Sequence, residues 1–191
     1  GKQNRTLNTS ILAGAKSNLR IPVSCVERGR WRYGHQGNYS SSRHSLSPEV
    51  RSSLRGSVSR SLDMKAGHSS AQGQVWYEID KEHQDLDVSS ASDDIEETCH
   101  VYSRELGEFR EKLLHPQGAV GLATSIRGRI VSFDIFDKAS TCKLFWGQLI
   151  SGYTISSLKP GVHTHPGRNQ PAAALPDIDG FIDAARAAPW K

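Results

Sequence analysis

Leu46, Val50, Leu54, Val58 and Leu62 recur every fourth position, which predicts an amphipathic helix. Ser47 is placed to cap it. Pro48 suits the first helical position, where its missing N–H costs nothing. Arg51, Arg55 and Arg60 fall off the apolar row and predict a basic outer side. Further on, Trp76, Ile79, His83 and Leu86 are spaced for a second helix. After a polar break at residues 89–92, Ile95, Cys99, Tyr102, Leu106, Phe109 and Leu113 alternate steps of four and three. That stripe predicts one helix, begun by Asp93 with Glu96 and stopped by His115-Pro116, packed along a neighbour as core.

Strand signals stand at both sides of this helical middle. Arg5–Leu12 and Leu19–Val26 flank Ala13-Gly14-Ala15-Lys16-Ser17-Asn18, a turn composition that predicts an N-terminal hairpin. Pro22 lacks a ladder donor and marks the second arm as an edge or partly paired strand. Ala119–Ile126 and Arg129–Phe136 flank Arg127-Gly128, a two-residue hairpin connection. Apolar residues on both faces of the second arm predict an internal strand. Leu144–Leu158 reads as a helix with Leu144, Phe145, Leu149, Tyr153 and Ile155 buried, and a last helix follows Asp177.

The fold class implied is α+β: an N-terminal and a central β-hairpin packed with four to five helices. Residues 1–158 form one domain, 159–176 a Pro/Gly-rich connector, and 177–191 a C-terminal helix of the same domain.

Composition narrows the class further. A chain of 191 residues is long enough for a core without disulfides or metal. No apolar run reaches the roughly 20 residues of a membrane span, and no signal-peptide pattern is present. Three widely spaced cysteines, Cys25, Cys99 and Cys142, point to a reducing, cytoplasmic setting. Charge is uneven: residues 1–70 carry +9, residues 71–115 carry −8 and the remainder +3. The basic third lacks the aromatic interleaving of a nucleic-acid surface. The preferred reading is compensation between basic and acidic thirds within one fold, with nucleic-acid binding as an alternative.

Three groups of residues can carry chemistry. Lys2, Gln3, Asn4 and Arg5 offer cations and amides to a carboxylate or phosphate, or form a solvated chain end. An apolar strand runs into Cys25, Glu27, Arg30 and Trp31 at a sheet end. There, Cys25 is a candidate nucleophile and Glu27 a candidate general base, against an inert strand cysteine and a structural ion pair. His163 and His165 share a side of an extended chain, but two imidazoles without a third ligand make no metal site. Asp93, Asp94, Glu96 and Glu97 read as a hydrated helix start. No metal or cofactor is assigned.

Lys2-Gln3-Asn4-Arg5 with the Leu7-Asn8 strand, then Ile21-Pro22-Val23-Ser24-Cys25-Val26-Glu27 and Gly29-Arg30-Trp31, resemble a bacterial family. It is the ARG- and rhodanese-phosphatase-superfamily-associated protein family, ARG denoting ADP-ribosylglycohydrolase. Val50-Arg51, Gln72 through Val75-Trp76, Gly118-Ala119-Val120, Asp134-Ile135-Phe136 and Tyr153 agree with it, so the resemblance covers about residues 2–158. It implies an unassigned activity associated with NAD and ADP-ribose metabolism and with ADP-ribose-processing enzymes. The sequence departs from the family pattern at Gly1, Arg28 and Ala71, where Ala, Gln and Asp are usual. The family's motif follows a β-rich segment that is absent here, and the chain stops after its penultimate helical element. The resemblance therefore implies a truncated copy with exposed sheet edges.

The leading expectation is a non-catalytic ligand-binding or accessory domain. Lys2, Gln3, Asn4, Arg5, Glu27, Arg30 and Trp31 would line its pocket for a small anionic ligand such as ADP-ribose or an NAD-derived nucleotide. The alternative is an enzyme using Cys25 or Glu27 on a nucleotide-linked substrate.

Overall fold

The structure is a computed structural model that describes residues 4–9, 14–29, 42–160 and 178–187. Two short strands, β1 (Arg5–Leu7) and β2 (Val23–Cys25), pair antiparallel with Arg5 opposite Cys25. The turn between them closes through the Ser17 N–H donating to the Gly14 carbonyl at 3.2 Å. The hairpin is where the spacing predicts it, and among the described residues its ladder is shorter than the two arms suggest.

Helix α1 (Pro48–Asp63) buries Leu46, Val50, Leu54 and Val58 as expected, while Leu62 lies 39% exposed at its last turn. Two expectations hold only in part here. Ser47 is at the N-cap position as expected, but its hydroxyl makes no capping bond and donates instead to Glu82 Oε2 at 2.5 Å. Arg51 is not on an outer basic side, because its guanidinium reaches Asp134 Oδ1 at 2.8 Å and is largely covered. A long flexible side chain can leave its helical row for a carboxylate on another element, and spacing alone does not register that.

Helix α2 (Gln72–Asp85) lies along α1, and Val75 and Ile79 join the α1 row in one core that Val26 and Ile95 close. Its N-cap is Ala71, which offers no side-chain acceptor, and its first turn holds no acid. Ala71→Asp should therefore stabilise the fold by about 1 kcal/mol. Urea and thermal unfolding check this, with a melting point raised by about 2–4 °C as the expected reading.

The single helix predicted over the long apolar stripe is two, α3 (Ile95–Val101) and α4 (Ser103–Lys112), broken at Tyr102. The Tyr102 hydroxyl donates to the Leu86 carbonyl at 2.8 Å. The break lets one stripe serve two cores: Ile95 packs with α1 and α2, while Cys99 and Leu106 pack with Leu86, Val88 and Ile155. Phe109 and Leu113, at the end of the stripe, are exposed. The cap is Asp94, whose side chain accepts from the Glu96 N–H. Asp93 instead adopts a left-handed φ of 50° and faces Arg28.

Strands β3 (Gly121–Ile126) and β4 (Arg129–Ile135) form the central hairpin, with Arg127 and Gly128 at φ of 53° and 79° in the turn. Among the described residues this sheet has two strands, so β4 is an outer strand and Ile135 is 64% exposed. The hairpin meets the helix that follows, α5 (Ala139–Leu158), through Leu122 of β3 and Phe136 just after β4, which pack near Tyr153. This helix starts five residues before the expected Leu144, over a polar stretch with no apolar period. Leu149, Tyr153 and Ile155 are buried, but Leu144 and Phe145 are not. Helix α6 (Ile178–Ala187) is present as expected. The architecture is α+β, two antiparallel hairpins with six helices among the described residues.

Lys159 begins the stretch expected to be a connector, yet it is buried, with Nζ 2.6 Å from Glu82 and 3.1 Å from Glu49. Among the described residues, no helix is long and apolar enough to cross a membrane.

Candidate functional site

The end of β2 and the segment just before α3 run side by side. Glu27 bridges to Asp94, the Ile95 N–H donates to the Val26 carbonyl at 3.3 Å, and the Gly29 N–H donates to the Ser92 carbonyl at 2.6 Å. Gly29 suits this approach because a Cβ there would lie 2.6 Å from the Ser92 Cα. No side chain fits without moving backbone.

Asn4 ties the start of β1 into this seam. Its carbonyl accepts from the Val26 N–H at 2.9 Å, and its own N–H donates to Glu27 Oε2 at 3.0 Å. Its side-chain amide donates to both Asp94 oxygens at 2.9 and 2.8 Å. Glu27 is fully buried and Asp94 nearly so. Two carboxylates are thus held in the protein by amide donors, at the point where both polar sequence motifs meet. Glu27 thus has no surface open to solvent.

The other predicted residues fall in different places. Arg5 is exposed at the start of β1. Cys25 is half-buried, and its backbone N–H and carbonyl are both paired to the Gln72 side chain, at 2.9 and 2.8 Å. Gln72 thereby extends the short sheet by one amide and docks the start of α2 on β2. Lys2, Gln3, Arg30 and Trp31, with His163 and His165, lie outside the described residues.

Immediately beside Glu27 and Asp94 lies an open cleft of about 490 Å³ between the C-terminal half of α2 and the segment before α3. Arg28, Asp80, His83, Asp87 and Asp93 supply its charged and titratable groups. Arg28 bridges Asp80 at 3.0 Å and Asp93 at 2.8 Å. Hydrogen bonding to Asp93 raises its pKa first, against a small opposing effect of burial, so the guanidinium stays charged. His83 is buried, and its Nε2 has no hydrogen-bond partner among the described residues. The cleft therefore combines carboxylate acceptors suited to hydroxyls, one fixed cation and a buried imidazole nitrogen.

Sequence reading missed this set. In the sequence Arg28 stands out as a cation that could favour the Cys25 thiolate and as a departure from the family pattern, and Asp80 and His83 read as ordinary positions on an amphipathic helix. The pairing of Arg28 with Asp80 and Asp93, and of His44 with Glu96, agrees with charge compensation between the basic and acidic thirds.

The family model for the ARG and Rhodanese-Phosphatase-superfamily-associated Protein domain matches residues 1–191. No curated protein and no solved structure matches the chain.

Proposed function

This chain belongs to the ARG and Rhodanese-Phosphatase-superfamily-associated Protein domain family, and on that premise we propose that it is a cytoplasmic ligand-binding domain. Its ligand is a phosphate-bearing ribonucleotide of the ADP-ribose type. The observation that carries the reading is the junction of Asn4 with Glu27 and Asp94, which brings the two polar motifs together beside an open polar cleft. Ribose hydroxyls suit the carboxylates of Asp80, Asp87 and Asp93. Phosphates suit the Arg28 guanidinium, with Arg30 nearby in sequence. Glu27, Asp94 and Asn4 hold the segments in place and do not contact the ligand. Trp31 is the aromatic group nearest in sequence for stacking on a base.

Calorimetric titration with ADP-ribose, with inorganic phosphate as the competing anion, tests this. Binding is expected, and Arg28→Ala should weaken it by about tenfold or more, the loss of one charge-assisted contact. The Arg28 side chain is 45% exposed, so the melting temperature should change little. No heat from a folded protein rejects the ligand class, and unchanged affinity in Arg28→Ala rejects the site.

A further inference from the structure

On the far side of α3 from the β2 seam, a second cleft of about 390 Å³ is lined by His44, Glu96, Glu97, Cys99, His100 and Arg110, among others. Glu96 and Cys99 are one helical turn apart, so their side chains share a face. His44 arrives from the segment before α1, and its Nδ1 lies 2.8 Å from Glu96 Oε2. One ligand atom from each of His44, Glu96 and Cys99 falls within 4.8 Å of the others. We propose that these three side chains bind a transition-metal dication of the zinc type, with its fourth position open to the cleft.

The donor set fits. Imidazole nitrogen, carboxylate oxygen and thiolate sulfur are the ligands zinc takes, in sets of three where one position stays open. Tetrahedral ligation places neighbouring nitrogen and oxygen ligands roughly 3.4 Å apart, so His44 and Glu96 need separate by only a fraction of an ångström. Outer contacts already hold this region: the Ser42 hydroxyl donates to Glu96 Oε1, and the His44 backbone N–H donates to Ser42 Oγ at 2.9 Å. Such outer-shell bonds fix ligand geometry.

The Arg110 guanidinium, which also lines the cleft, donates to the Gly147 and Arg43 carbonyls at 3.3 and 3.1 Å. On binding, the thiol proton leaves to solvent, the sulfur lone pair enters the metal bond, and no redox change occurs.

Cobalt(II) titration of the whole, reduced chain tests the assignment. One equivalent should produce a thiolate-to-cobalt charge-transfer band, and zinc should abolish it. Cys99→Ser should lose the band. His44→Ala, in a segment outside the helices, should weaken affinity by more than the roughly 10–100-fold typical of an outer-shell change. Glu111→Gln, at an exposed acid on α4 outside the cleft lining, should leave both unchanged, and circular dichroism reports folding of each variant. Absence of the band in the parent chain, its survival in Cys99→Ser, or unchanged affinity in folded His44→Ala overturns the proposal.

Discussion

Lys159→Met is expected to destabilise the protein by about 3–5 kcal/mol, the cost of stranding a buried charge. In a chain of this size that corresponds to a melting point lower by roughly 6–20 °C. The reason is local. Glu82 is 1% exposed, and its Oε2 receives the Lys159 ammonium at 2.6 Å and the Ser47 hydroxyl at 2.5 Å. Lys159 also reaches Glu49, which in turn accepts from Ser156. Without the ammonium, Glu82 keeps one neutral donor for a charge that has no water. Adding Glu82→Gln to Lys159→Met should recover more than half the loss, because the amide can still accept from Ser47 and carries no charge. Equilibrium unfolding of both variants decides it; a double variant no better than the single one contradicts the argument.

The same cluster sets an alkaline limit. Burial pulls the Lys159 pKa down, but Glu82 and then Glu49 outweigh it, and the folded value lies above the ordinary 10.5. A pKa raised on folding gives stability that is complete below the unfolded value and is lost as pH rises through the folded one. Wild type should therefore lose stability above about pH 10.5 along a limb that Lys159→Met flattens.

Arg51→Met is expected to cost about 3 kcal/mol, nearer the lower end of the same range because both partners keep slight solvent contact. The Arg51 side chain is 15% exposed and that of Asp134 is 11% exposed, and their closest contact is 2.8 Å. Asp134 also accepts from the Tyr153 and Ser132 hydroxyls, and the guanidinium lies 5.3 Å from the centre of the Tyr153 ring. Helix α1, strand β4 and helix α5 are joined at this one carboxylate. Arg55, 3.8 Å away and 65% exposed, cannot replace Arg51. Burial pushes the Asp134 pKa up, but Tyr153 and Arg51 hold it below the usual 3.8. The stability it contributes is present above that value and lost as pH falls through the folded one. The difference between wild type and Arg51→Met should accordingly shrink on acidification below pH 3.8, measured as unfolding free energy against pH. A difference that stays constant would assign the effect to packing rather than charge.

These two clusters show where sequence reading stops. In the sequence Arg51 and Tyr153 stand at positions of family resemblance and Lys159 at the start of a connector, and none announces a partner. Asp134 lies 83 residues from Arg51, and Lys159 lies 110 residues from Glu49. Local periodicity carries no information over such separations. The candidate site divides in the same way. The two polar motifs are legible as short runs of donors and acids, and the contact of Asn4 with Glu27 follows from the hairpin that joins them. The cleft residues Asp80, His83 and Asp93 were not legible, because α2 and the segment before α3 approach only in the folded chain.

By itself the sequence determined the local elements: the helix rows over Val50–Val58 and Val75–Ile79, the turn at Arg127-Gly128, and the hairpin around Gly14–Ser17. Each depends on backbone preference and the burial of one face, which neighbouring residues dictate. Tertiary structure decided the break at Tyr102, the turning-in of Arg51, the burial of Lys159 and the gathering of His44, Glu96 and Cys99. Each is a long-range pairing of polar groups, or one apolar stripe divided between two cores, and its energy exists only once distant segments exclude water together.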